Sequence, residues 1–133
     1  MNEEGNLAEG EPNTDSRYSE LVDGSHKYTD VYCRPKLGPG GAHHFYEVRR
    51  KNGPVVMMRF SFQNGPIKEA GVNGVMNEDL LAIVIDRLKG FQAGKYACKE
   101  NAAALEDVED ALEVLKDRTK ERESRGVEGT HKI

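Results

Sequence analysis

Between Asn101 and Arg125 the spacing of apolar residues admits one regular conformation, a long amphipathic helix. Leu105, Val108, Leu112 and Leu115 recur at steps of three and four, which places them on one side of a helix. Asn101 lies one turn before this stripe, and Thr119 and Arg122 extend it beyond Leu115. Arg118 stands four residues before Arg122, so two guanidinium forks can be turned toward one object. Forks at that spacing suit a phosphate, a pyrophosphate or a carboxylate. A plainer reading competes with this one. Asp117, Glu121 and Glu123 share the same turns and offer surface ion pairs, and basic residues in a last helical turn suit the helix dipole.

The length of the helix sharpens the binding alternative. Asn101 and Arg118 are 17 residues apart, which at the α-helical rise is ~25 Å. No small ligand bridges that distance within one chain. If both ends serve one site, two copies of the helix must run antiparallel, head beside tail, and a binding role therefore implies a homo-oligomer. Composition leans the same way. Of 133 residues 37% are apolar and 32% charged, a lean supply for a core, and burial against other subunits would supplement it.

Charge is unevenly spread. Residues 1–28 carry seven acids and two bases, residues 29–70 three acids and seven bases, and the remainder thirteen acids and ten bases. The total of −4 argues against DNA as a partner, because non-specific nucleic-acid affinity comes from an excess of lysine and arginine. Cys33 and Cys98 form no Cys-x-x-Cys pair and read as reduced thiols in a cytoplasmic protein. No signal peptide and no long apolar run is present, so no membrane anchoring is expected.

Along the chain, residues 1–28 are poor in large apolar groups and read as a mobile acidic tail. Residues 44–51 and 55–62 read as strands joined by Asn52-Gly53-Pro54, a hairpin signal, and Ile67 to Glu69 as a short third strand. This β-meander is expected to occupy 29–75. Asn77 reads as the N-cap of a first helix containing Leu80, Leu81, Ile83, Val84, Ile85 and Leu88, which with the long helix makes a hairpin over 76–125. Residues 126–133 are a C-terminal tail. The expected fold is α+β: a small antiparallel β-meander followed by a C-terminal antiparallel helical hairpin.

Several catalytic and metal readings fail on residue chemistry. His43 and His44 are neighbours on an extended segment and point to opposite sides, a poor chelating pair. The glycines at 71 and 74 precede a helix but lack the Lys-Ser/Thr of a P-loop, and Glu78 and Asp79 would repel an anion there. Asp107, Glu109, Asp110 and Glu113 lie off the apolar stripe and read as a solvated face. No metal site, cofactor or catalytic set is expected.

Phe91 stands where the first helix gives way to the turn, between Gly90 and Gly94. A capping contact is one role for it; the other is a stacking platform for a base, beside the amide of Asn101, which can donate and accept. Phe91 and Asn101 from one copy, with Arg118 and Arg122 from another, would describe a nucleotide pocket.

The strings Phe62-Gln63-Asn64-Gly65-Pro66-Ile67-Lys68-Glu69, Gly71-Val72-Asn73-Gly74, Leu81-Ala82-Ile83-Val84-Ile85-Asp86-Arg87-Leu88, Gly90-Phe91-Gln92 and Arg125-Gly126-Val127-Glu128-Gly129-Thr130 carry a resemblance across residues 43–131. The chain resembles the first family of phage Thoeris anti-defence proteins, whose helical hairpin is shared with a phage anti-CBASS sponge. The resemblance implies sequestration without cleavage. Hexamers would bind glycocyclic ADP-ribose, the messenger of a host TIR-domain enzyme, in the cytoplasm of the infected bacterium. The family's ligand-contacting phenylalanine, asparagine and two arginines fall on Phe91, Asn101, Arg118 and Arg122. Cyclic di- or trinucleotides, held by some relatives at a second site, are assigned to Arg125, Gly129 and Thr130. Two rival functions predict different behaviour: a messenger-degrading enzyme would return altered ligand, and an inhibitor of a host protein, acting through the hairpin, would co-purify with a polypeptide.

Overall fold

The structure is a computed structural model and describes residues 14–133. These fall into two compact units, one built from residues up to 65 with 70–74, the other from 66–69 with 75–133.

The first unit is a four-stranded antiparallel meander in sequence order: β1 (Ser19–Ser25), β2 (Thr29–Cys33), β3 (Phe45–Arg50) and β4 (Val56–Ser61). The expected hairpin is β3–β4. Asn52 takes its turn with a φ of 63°, a left-handed conformation that asparagine tolerates better than most side chains. Register slips by one residue between Val48↔Met58 and Arg49↔Val56, a bulge close to that turn. The sheet begins earlier than the sequence suggests, because β1 lies inside the segment 1–28 read as a tail. The signal there is weak. A polar strand with Gly24 in it has little period-two apolar pattern, and Gly24 is present because a β-carbon would meet Val31 Cβ at 2.9 Å.

Strand alternation sorts the sheet into two chemically different faces. Val31, Cys33, Tyr46, Val48, Met58 and Phe60 share one face by register. On it Tyr46 stacks on Phe60 with centroids 5.8 Å apart, and Phe62 meets both rings edge-on at 5.5 and 5.3 Å. The opposite face carries Tyr32, Glu47 and Arg59 in one cross-strand row.

Beyond β4 the segment 62–74 is tied by side-chain amides. Gln63 Nε2 donates to the carbonyls of Gly65 and Gly71 at 2.9 and 2.6 Å, and Asn73 bonds the backbone of Asn64 in both directions at 2.8 Å. Gly74 is pressed against the strand end, where a β-carbon would lie 2.4 Å from the Phe62 carbonyl oxygen and 2.7 Å from that of Ser61. Backbone cannot give way as a side chain can. Gly74→Ala is therefore expected to cost about 1–3 kcal/mol, read as a lowered urea midpoint; an unchanged midpoint would show that this turn relaxes freely.

The second unit is helical. Ile67–Ala70 forms a single helical turn, α1, where a short third strand was expected; Glu69 N bonds the Pro66 carbonyl at 3.0 Å and Lys68 N the Gly129 carbonyl at 2.8 Å, so these donors are spent on a turn and on the tail and not on a sheet ladder. α2 spans Asn77–Gln92 and α3 Lys99–Ser124, the expected antiparallel hairpin. Asn77 is the first helical residue of α2. The N-cap is Met76, whose backbone N–H is taken by the Asp79 carboxylate at 2.8 Å. α3 opens on Cys98, whose Sγ accepts from Asn101 N at 3.4 Å. Along α3 the half-buried positions are Asn101, Leu105, Val108, Leu112, Leu115, Thr119 and Arg122, the stripe set out by the spacing. Among the described residues of the hairpin only Ile85 is buried, while Ile83, Val84 and Val114 stay exposed. No described helix is long and apolar enough to cross a membrane.

Candidate ligand-binding site

The two halves of the expected pocket lie at opposite ends of α3. Phe91 sits in the last turn of α2 and Asn101 in the first turn of α3, so the hairpin turn brings both to one end. Phe91 is half-buried, with the Arg87 guanidinium 4.9 Å from its ring centroid. Contact between a cation and the ring face keeps the aromatic plane ordered and half open. The adjoining turn is held by Gln92 Oε1, which accepts from Cys98 N at 3.0 Å. The Asn101 side-chain amide makes no hydrogen bond among the described residues, so both its donor and its acceptor capacity remain available.

At the other end the two arginines behave differently. Arg118 is exposed and its guanidinium makes no hydrogen bond among the described residues. Arg122 is folded against the tail, its side chain only 12% exposed. Its Nη2 donates to the carbonyls of Val127 at 2.9 Å and Thr130 at 3.2 Å, and its Nε to the Glu128 carboxylate at 3.2 Å. The spacing rule singles out both residues as candidates but does not foresee this difference between them, which depends on the path of the chain after the helix.

That path follows from the helix end. Gly126 has a φ of 72°; its N–H reaches the Glu123 carbonyl at 3.0 Å, and Val127 N reaches the Arg122 carbonyl at 3.0 Å. This double bond pattern closes α3 on a left-handed glycine and reverses the chain. Arg125, Gly129 and Thr130 are all engaged within the reversal. Arg125 donates to Glu121 through Nη2 at 3.0 Å and to the Ile133 carbonyl through Nη1 at 2.8 Å. The Arg125 hydrogen bond holds the Glu121 carboxyl below its ordinary pKa. The Gly129 carbonyl accepts from Lys68 N at 2.8 Å, and Thr130 Oγ1 donates to the Val127 carbonyl at 2.6 Å. These three residues anchor the tail.

An open groove of about 420 Å³ runs along the hairpin, lined by Gln92, Leu105, Glu106, Glu109, Asp110 and Glu113 among others. Four carboxylates around it disfavour an anionic guest. The candidate arginines, Arg118 and Arg122, do not line this groove, and a second groove between the helices mixes Lys89 and Lys116 with Glu109 and Glu113. His43 and His44 diverge, His43 Nδ1 standing 3.6 Å from Cys33 Sγ and His44 Nε2 2.9 Å from the Pro39 carbonyl. Cys33 is buried, and desolvation pushes its thiol pKa up, away from a reactive thiolate.

Residues 56–119 match a family model described as the Acb2/Tad1 hairpin domain. The chain is also 59% identical over 71 residues to "Thoeris anti-defense 1" of Bacillus phage SBSphiJ7. That alignment covers 53% of this chain and 50% of the phage protein, so the chain spans about half the length of the curated relative it matches.

Proposed function

We propose, from the premise that this chain belongs through residues 56–119 to the Acb2/Tad1 hairpin-domain family, that it is a phage anti-Thoeris protein. In this reading it captures glycocyclic ADP-ribose and does not cleave it. The observation that carries the reading is the placement of recognition groups at both ends of one hairpin. A ring and an unpaired amide, Phe91 and Asn101, stand at the turn, and the unpaired Arg118 stands ~25 Å away along α3.

A second copy running antiparallel completes the set. Phe91 stacks on the base, Asn101 reads its edge, and Arg118 with Arg122 of the other copy neutralises the pyrophosphate. The exposed apolar residues Ile83, Val84 and Val114 favour such assembly, and the hexamer of the family is the proposed form. Sequestration stoichiometrically depletes the messenger in the cytoplasm of the infected bacterium, leaving the effector it would activate at rest. Cyclic di- and trinucleotides remain part of the proposal at Arg125, Gly129 and Thr130, where the exposed Arg125 also holds Glu121 and the Ile133 carbonyl.

The test is incubation with glycocyclic ADP-ribose, removal of free ligand by filtration, heat release and chromatography. Intact ligand recovered in proportion to protomers is the expected result. A breakdown product would identify an enzyme, and the absence of any retained ligand would favour a hairpin that binds a host protein.

A further inference from the structure

Arg122 has most of its guanidinium already spent on its own chain. Its Nε donates to the Glu128 carboxylate at 3.2 Å, and its Nη2 to the carbonyls of Val127 at 2.9 Å and Thr130 at 3.2 Å. Nε and Nη2 form the lateral fork of an arginine, the edge that would otherwise grip two oxygens of one phosphate. Nη1 makes no hydrogen bond among the described residues, so one nitrogen is left for a guest. Arg118, one turn earlier, keeps its whole guanidinium.

The tail that closes this fork is fastened independently of Arg122. The Gly129 carbonyl accepts from Lys68 N at 2.8 Å, Thr130 Oγ1 donates to the Val127 carbonyl at 2.6 Å, and Arg125 Nη1 to the Ile133 carbonyl at 2.8 Å. The two carbonyls only orient Arg122. Glu128 also brings a full negative charge, on a side chain 33% exposed, and partial burial protects that charge from screening. The other acids of these turns are placed differently: Glu121 is bound by Arg125, and Asp117 and Glu123 are exposed.

We propose, resting on the messenger-capture reading, that Glu128 is the specificity-determining residue of the arginine end. The class it selects is a pyrophosphate diester, against a nucleotide that ends in a free phosphate. With its lateral fork closed by a carboxylate, Arg122 contributes one nitrogen and little net charge, while Arg118 contributes an open fork. Such a pair suits an anion whose charge is shared between two phosphoryl groups. A terminal phosphate carries additional charge at neutral pH, and that charge meets Glu128 where it would need a second open fork.

The test compares glycocyclic ADP-ribose with ADP as ligands of the full chain at neutral pH, in wild type, Glu128→Gln and Arg118→Ala. Glutamine keeps an acceptor for Arg122 Nε and loses only the charge. Wild type is expected to prefer the messenger. Glu128→Gln should bind ADP about three- to tenfold more tightly, gain less for the messenger, and leave amide exchange at residues 127–130 unchanged. A purely structural Glu128 would weaken both ligands together and speed that exchange, which overturns the assignment. If ADP gains nothing while Arg118→Ala still loses the messenger, the role of Glu128 fails and messenger capture stands. If wild type retains no messenger, messenger capture fails and the role of Glu128 with it.

Discussion

Replacing Glu47 by alanine is expected to destabilise the sheet by about 3–5 kcal/mol, the cost of removing one partner from a buried ionic cluster. Glu47 is fully buried in β3, and two arginines on its own and the neighbouring strand depend on it. Arg49, with a side chain 15% exposed, would keep only the Asp15 carbonyl and the face of Tyr32. Arg59 is 39% exposed and can turn to water, so Arg49 bears most of the loss. Glu47→Gln retains one acceptor and should fall between wild type and alanine. Urea unfolding of the three proteins checks the order. A loss below about 1 kcal/mol for alanine would mean that water reaches Arg49 once the carboxylate is gone.

The second large effect is on ligand capture. On the proposed function, Arg118→Ala is expected to weaken glycocyclic ADP-ribose binding about 10- to 100-fold, the worth of a charge-assisted pair, while the proposed oligomer stays intact. Arg122→Ala should weaken binding at least as much, but it also frees the Val127 and Thr130 carbonyls and the Glu128 carboxylate. Amide exchange separates the two variants: residues 127–130 should exchange faster in Arg122→Ala and unchanged in Arg118→Ala. If both variants lose assembly together with binding, the arginines are structural and the pocket assignment fails.

The hairpin was legible from the chain because its pattern is local. Leu105, Val108, Leu112 and Leu115 differ from their neighbours in a period that only a helix satisfies, and their half-burial follows it. The β3–β4 hairpin was legible for the same reason, through Asn52. What escaped were features that depend on pairing between distant residues. β1 has little apolar alternation of its own and is held by β2, through Ser19↔Cys33 and Glu20↔Tyr32. The segment 67–70 looked extended by its β-branched start, yet it turns helically, and Lys68 N bonds a carbonyl sixty-odd residues later, at Gly129. Phe91, Asn101, Arg118 and Arg122 were singled out by position as candidates, but the engagement of Arg122 and Arg125 with the tail was not foreseen. A Gly126 just past a helix end was the available signal, since such a glycine reverses the chain and makes nearby side chains reach for the returning carbonyls.

The sharing of one carboxylate between β3 and β4 also limits how this sheet can diversify. Because Glu47 serves Arg49 and Arg59 together, loss of either arginine leaves the carboxylate a partner, whereas loss of Glu47 strands the half-buried Arg49. Drift through single steps is thus blocked first at Glu47 and least at the more exposed Arg59. Homologous sheets should lose Glu47 only together with the arginine at 49, whereas the arginine at 59 can vary by itself.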